Sequence, residues 1–204
     1  MSKFTSMIRK GLLAAALAGS AFGASAAPTT YHVDLNTTSI TGGTYLDFAF
    51  SSAAGAALSN LTVSNLLGGP VTLDGFDGSA TTAGATGFSM SNDANGLNYV
   101  DYIGNIASIF SFDVTFADGF ESGPAGLGSL FYISILGSDF NPVTNGNAFA
   151  QFALSSDAGI RASFAPGTGS ATLVDANAVP EPTQLVLMLT ALAMMGMMVK
   201  RRQG

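Results

Sequence analysis

Between residues 29 and 175 the apolar positions fall in short runs of period two, separated by clusters of Gly, Asn, Asp and Ser. That alternation predicts strands with one wet face. The plainest run is ASIFSFDVTFADG. Phe110, Phe112, Val114 and Phe116 lie on one side, Ser111, Asp113 and Thr115 on the other, and Asp118-Gly119 ends the run as a turn. TYHVDLN places Tyr31, Val33 and Leu35 inward, and TYLDFAF does the same with Leu46, Phe48 and Phe50. NAFAQFALS sets Phe152 and Leu154 on one face and Phe149 on the other. GSLFYISILG is apolar on both sides, which predicts a central strand covered by loops or a second sheet. IRASF and ATLVD complete a set of eight to ten, with Asn60 to Val63 and Pro70 to Leu73 as weaker members. Gly42-Gly43, Gly68-Gly69-Pro70, Asp77-Gly78, Asn95-Gly96 and Asn145-Gly146 supply turns. Only Ala53 to Leu67 has room for a short helix, and Gly55 limits it. The expected fold is all-β: an antiparallel β-sandwich, with a jelly roll among its variants.

The two ends follow other patterns. Lys3, Arg9 and Lys10 precede the apolar run Gly11 to Phe22, and Ala24-Ser25-Ala26 then offers small residues for cleavage after Ala26. This order predicts a secretory signal over 1–26, helical before removal. At the other end, residues 183–199 carry no charge. As a helix they would extend about 25 Å, near the lower limit for crossing a bilayer. Lys200, Arg201 and Arg202 follow directly, which predicts a cytoplasmic tail over 200–204 and a domain outside the membrane. Pro180 and Pro182 bar a regular helix before that span, so residues 176–182 form an extended linker after a domain of 27–175.

Val179-Pro180-Glu181-Pro182, the apolar helix and the Lys200-Arg201-Arg202 cluster together resemble the PEP-CTERM sorting signal of Gram-negative bacteria. The resemblance covers about the last 25 residues. It implies recognition of Pro180, Glu181 and Pro182 by an exosortase, a membrane transpeptidase that cuts near this motif. It further implies an inner-membrane-anchored intermediate on the way to the surface or matrix of an exopolysaccharide-producing, biofilm- or floc-forming bacterium. YHVDLNTTSITGGTYLDFAF also resembles an N-terminal hairpin of small PEP-CTERM surface proteins, which carries no known activity.

Export alters how the charges read. Between Ala27 and Val179, twelve acidic residues face one cation, Arg161, leaving the domain near −11. A field of that sign repels phosphate backbones and so excludes nucleic acid as a partner. The absence of Cys removes thiol catalysis, disulfides and Cys-based zinc sites. Fifteen Phe, thirteen of them in the domain, must fill the core without Trp or Cys.

Candidate chemistry is sparse. His32 is the single histidine, with Asp34 two residues on and on the same face, but no G-x-S-x-G elbow accompanies it; a solvent-facing strand position is expected. Glu121, the domain's one Glu, lies in the loop-like DGFESGPAG. Calcium is the one cofactor the composition leaves open, because hard cations take carboxylate and amide oxygens. The better set is Asp93, Asn95, Asn98 and Asp101 in SNDANGLNYVD; Asp74 and Asp77 form a second loop. Neither is an EF-hand, since Leu97 occupies the third ligand position. Tyr99, Tyr102 and Tyr132 are the rings available to stack on sugars.

These features predict an exported cell-surface or exopolysaccharide-matrix protein, structural or adhesive and non-catalytic, with an exosortase, the membrane and exopolysaccharide as partners. Divalent cations would bridge its acidic surface to matrix polymers. A carbohydrate-binding module is the alternative, and requires Tyr clustered on one sheet face. A surface glycoside hydrolase is a further one, and requires two carboxyls about 5–10 Å apart in a cleft.

Overall fold

Each period-two run becomes a strand in the computed structural model, which describes residues 28–174 other than Pro70, 94–97, Ala107, Asp118 and 144–147. The expected signal segment with Ala26, the linker with Pro180, Glu181 and Pro182, the apolar span and the basic cluster Lys200, Arg201 and Arg202 lie outside the described residues. Among the described residues no helix is long and apolar enough to cross a membrane.

The strands are β1 (Thr29–Asn36), β2 (Tyr45–Ser52), β3 (Asn60–Leu67), β4 (Val71–Asp77), β5 (Thr81–Thr82), β6 (Phe88–Ser91), β7 (Asn98–Gly104), β8 (Ile109–Phe116), β9 (Gly128–Leu136), β10 (Ala150–Ser155), β11 (Gly159–Phe164) and β12 (Gly169–Leu173). Two single 3₁₀ turns, Gly84–Thr86 and Phe120–Ser122, are the remaining regular elements described. The first sheet runs β12-β1-β8-β3-β6-β5 and the second β11-β10-β9-β2-β7-β4. All pairings are antiparallel. Consecutive strands therefore cross repeatedly from one sheet to the other: 1-8-3-6 in the first interleaves with 2-7-4 in the second.

Three expectations need correction. β1 and β2 do not form a hairpin; β1 pairs with β8 and β12, while β2 pairs with β7 and β9. Ala53 to Leu67 carries no helix, because Leu61, Val63 and Leu66 are needed as the buried face of β3. Phe149 is not on a wet face but fully buried, just before β10 begins.

The inner faces meet in a core made largely of Phe. Phe48 of β2 sits at its centre, with ring centroids 5.0 Å from Phe88, 5.6 Å from Phe112, 6.1 Å from Tyr102 and 6.2 Å from Phe131. Phe88 and Phe112 come from the opposite sheet, so this ring joins the two layers. Each such pair contributes about 0.5–1.5 kcal/mol beyond area burial. Buried polar groups close the ends. Asn92 accepts from the Ser59 N–H at 2.7 Å and donates to the Ala57 carbonyl at 2.7 Å and to Ser129 Oγ at 2.6 Å.

Among the described residues β12 forms one edge of the first sheet and pairs only with β1, with Leu173 opposite Tyr31. The Val174 N–H donates to the Thr30 carbonyl at 2.9 Å, so both ends of the sandwich emerge at one corner.

Candidate functional site

Strand parity decides what the outer face of the second sheet displays. Leu46, Phe48 and Phe50 of β2 and Val100 and Tyr102 of β7 fill the core, so Tyr45, Asp47, Tyr99 and Asp101 must point outward. On β9, Phe131, Ile133 and Ile135 point in, leaving Tyr132 and Leu136 out. Register then gathers them: Asp47 lies opposite Asp101 on one side and Ser134 on the other, and Ala49 lies between Tyr99 and Tyr132.

The result is a shallow recess of about 350 Å³ lined by Asp47, Ala49, Tyr99, Asp101, Tyr132, Leu136 and Phe140. Phe140 comes from the turn after β9. Its ring stacks on Tyr45 with centroids 4.6 Å apart and an interplanar angle of 21°. Its backbone adopts φ +59°, a left-handed conformation that a bulky residue rarely holds. The turn enforces it. The Phe140 N–H donates to the Gly137 carbonyl at 3.0 Å, the Gly137 N–H to the Asn141 carbonyl at 2.9 Å, and Asp139 accepts from the Asn141 side-chain amide at 2.8 Å. Phe140 remains 57% exposed despite this cost, so its ring faces the recess and solvent rather than the core.

The two carboxyls define the electrostatics. Asp47 and Asp101 share a side-chain hydrogen bond, and burial pushes both above the usual carboxylate range. Asp47 is pushed up to about 7, by burial first and then by the charge of Asp101. Asp74, on the neighbouring β4, adds repulsion at Asp101. The pair therefore holds one proton near neutrality. Asp101 is 9% exposed, and its Oδ1 has no hydrogen-bond partner among the described residues. Burial and the nearby Asp47 also raise the Tyr132 phenol.

Of the residues expected to hold calcium, Asn98 and Asp101 are not brought together. Asn98 and Asp101 are three positions apart on β7, so they face opposite sides of the sheet. The Asn98 amide is already engaged: Oδ1 accepts from the Ser79 N–H at 2.9 Å, and Nδ2 donates to the Phe50 carbonyl at 3.1 Å and the Asp93 carbonyl at 2.9 Å. Asp93 is half-buried beside that loop, and Asn95 lies outside the described residues. Asp77 accepts from the Gly78 N–H at 2.7 Å as a turn former. Among the described residues no three His, Cys, Asp or Glu side chains are placed to hold a metal.

Of the three tyrosines singled out, Tyr99 and Tyr132 line the recess, whereas Tyr102 is fully buried. Its hydroxyl donates to the Gly84 carbonyl at 3.1 Å, and burial lifts the phenol to about 12. Sequence reasoning passed over Tyr45, Asp47 and Phe140. Asp47 between Leu46 and Phe48 was legible as a wet-face residue, but its partner across the strand depends on register.

The first sheet's outer face carries a second polar cluster. His32 Nδ1 lies 2.7 Å from Asp113 Oδ1, and Asn65 Nδ2 donates to Asp113 Oδ2 at 2.7 Å. Hydrogen bonding to Asp113 raises His32, and the bonds from His32 and Asn65 lower Asp113. His32 Nε2 faces Asp34 at 3.6 Å, so the ring sits between two carboxylates rather than between a carboxylate and a nucleophile. Glu121 is exposed in a 3₁₀ turn, away from any partner carboxyl of the recess.

Fold and recess together define a two-sheet antiparallel sandwich bearing an aromatic, acidic hollow on one outer face. No family model matches the chain, and no match is found among the curated proteins or the solved structures.

Proposed function

We propose that this chain is a non-catalytic glycan-binding module, exported and sorted by a PEP-CTERM signal, that adheres to exopolysaccharide at the surface or in the matrix of a Gram-negative bacterium. The observation that carries the reading is the gathering of Tyr99, Tyr132 and Phe140, backed by Tyr45, around two carboxyls on one outer sheet face. Aromatic rings give sugar rings an apolar platform, and carboxyl groups accept hydrogen bonds from hydroxyls. A recess of about 350 Å³ is at the small end of ligand sites and suits one or two sugar units. The interleaved strand order supports a jelly roll, an architecture used by lectin domains.

The carboxyl pair argues against glycoside hydrolysis. Asp47 and Asp101 are in hydrogen-bond contact, whereas a glycosidase needs its two carboxyls about 5–10 Å apart to flank the scissile bond. The sorting part of the reading rests on Pro180, Glu181, Pro182 and the basic cluster Lys200, Arg201 and Arg202.

The test is binding of the purified protein to a panel of defined oligosaccharides and to bacterial exopolysaccharide, beside Tyr99→Ala, Tyr132→Ala and the distant Leu58→Ala. Loss of about tenfold in affinity, roughly 1.4 kcal/mol, is expected for each tyrosine variant, with Leu58→Ala unchanged. Equal binding by all four proteins would remove the recess as the site.

A further inference from the structure

We propose that the outer face of the second sheet takes the interior of an extended, uncharged β-1,4-linked glycan chain laid across the strands. The proposal rests on the glycan-binding reading and names its ligand class.

Register sets the direction. Asp77 of β4, Tyr99 of β7, Ala49 of β2, Tyr132 of β9, Gln151 of β10 and Ser163 of β11 are successive cross-strand partners, so they form one row on the outer face. One strand separates Tyr99 from Tyr132, which places their backbones about 9.5 Å apart. Between them Ala49 has only a methyl group, yet it is 2% exposed. The gap between the tyrosines therefore admits no sugar down to the sheet, and a ligand rests on the rings themselves. Along the strands the way out is closed at one end, where Phe140 stacks on Tyr45. Across the strands it is open: Gln151 is half-buried, Ser163 and Asp77 are exposed, and none is bulky. A chain passing sideways needs no free end.

Spacing selects the chain. In an extended β-1,4 chain each pyranose is turned over relative to the next, so the same face recurs at every second unit. That repeat is close to the distance between the two tyrosines, and stacking on both at once needs the same face at both. An α-1,4 chain coils and brings no second face into line. The Gln151 amide lies where it can meet hydroxyls of units beyond Tyr132. Uronic-acid polymers are repelled by the domain's net charge near −11, which leaves uncharged chains.

The decisive experiment is calorimetry with a β-1,4-linked glucose tetramer, the β-1,4-linked dimer, an α-1,4-linked glucose tetramer and bacterial exopolysaccharide, using the native protein, Tyr99→Ala, Tyr132→Ala and the distant Leu58→Ala. The β-linked tetramer is expected to bind about tenfold more tightly than either the dimer or the α-linked tetramer. Each tyrosine variant should bring the β-linked tetramer down to the dimer's affinity, and Leu58→Ala should leave the ranking intact. Thermal melts establish that each variant is folded, and one tyrosine variant suffices should the other not fold. Equal affinity for the two tetramers, or for the dimer and the β-linked tetramer, overturns the crossing chain and leaves glycan binding standing. A β-1,4 preference that persists in the tyrosine variants overturns it as well, because the row would not be its cause. Binding of exopolysaccharide without the β-linked tetramer does the same. No binding to any of the four removes both the crossing chain and the glycan reading.

Discussion

Replacing Asp47 by Asn should stabilise this protein, and only above mild acidity. Asp47 is half-buried opposite Asp101, with Tyr99 on β7, Tyr132 on β9 and Asp74 on β4 among the other titratable groups nearby. Its carboxyl is pushed up to about 7 from an ordinary value of 3.8. Between those values the folded chain holds a proton that the unfolded chain releases, so stability falls as pH rises from about 4 to about 7 and then levels. A shift of about three units corresponds to a ceiling of about 4 kcal/mol; partial solvent access brings the expected loss to about 2–3 kcal/mol. Asn reproduces the protonated carboxyl in shape and donates to Asp101 at every pH. The Asp47→Asn variant should therefore match the native protein near pH 4 and exceed it by about 2–3 kcal/mol at pH 8, roughly 5–10 °C in melting temperature. Urea denaturation of both proteins across that range is the assay. A variant destabilised by the same amount at pH 4 and pH 8 would refute the shared proton. So would a gap that does not open with pH.

Other outcomes follow from the same structure. Phe48→Ala should cost about 3–5 kcal/mol by opening a cavity between the sheets, read as a large drop in the denaturation midpoint. Phe140→Gly should change stability by less than about 1 kcal/mol, because glycine relieves the left-handed backbone while the stack on Tyr45 is lost; glycan affinity should nevertheless fall. His32, 42% exposed and raised by Asp113, stabilises the fold when protonated. His32→Asn should therefore cost less than about 1 kcal/mol at pH 5 and nothing at pH 8, and an NMR titration should place the native imidazole above 6.5. On the proposed sorting reading, replacing Pro180, Glu181 and Pro182 together by Ala should retain the full-length protein in the inner membrane, whereas the native chain should be released without its tail; fractionation with intact mass measurement distinguishes them.

The alternation of Phe110, Phe112, Val114 and Phe116 was enough to read β8 and its inward face, because a half-buried strand repeats every two residues. The same logic predicted β9 as interior, and it does lie between β2 and β10. β7 was missed. Its outward residues Tyr99 and Asp101 follow an Asn-Gly turn signal, so local chemistry pointed to an ion-binding loop where sheet pairing places a strand. The separation of β1 from β2 was equally hidden, since hairpin and crossover share the same strand pattern and differ only in how the loop between them runs. The recess depended on that hidden layer. Asp47 and Asp101 are 54 positions apart in the chain and meet only because β2 and β7 pair in one register.

The corner at which Thr29 and Val174 leave the sandwich has a mechanical meaning. β12 is five residues long, pairs with one neighbour, and lends the core little beyond the partly buried Ala171. Tension entering through Val174 loads the Thr30 bond first, then the Tyr31 register, one pair at a time. Peeling β12 would pay out about 3.3 Å of chain for each residue released. The recess, built on the other sheet from β2, β7, β9 and the turn after it, would keep its shape meanwhile. If the chain grips a polymer as proposed, it could thus yield slack at one edge strand before the recess is strained.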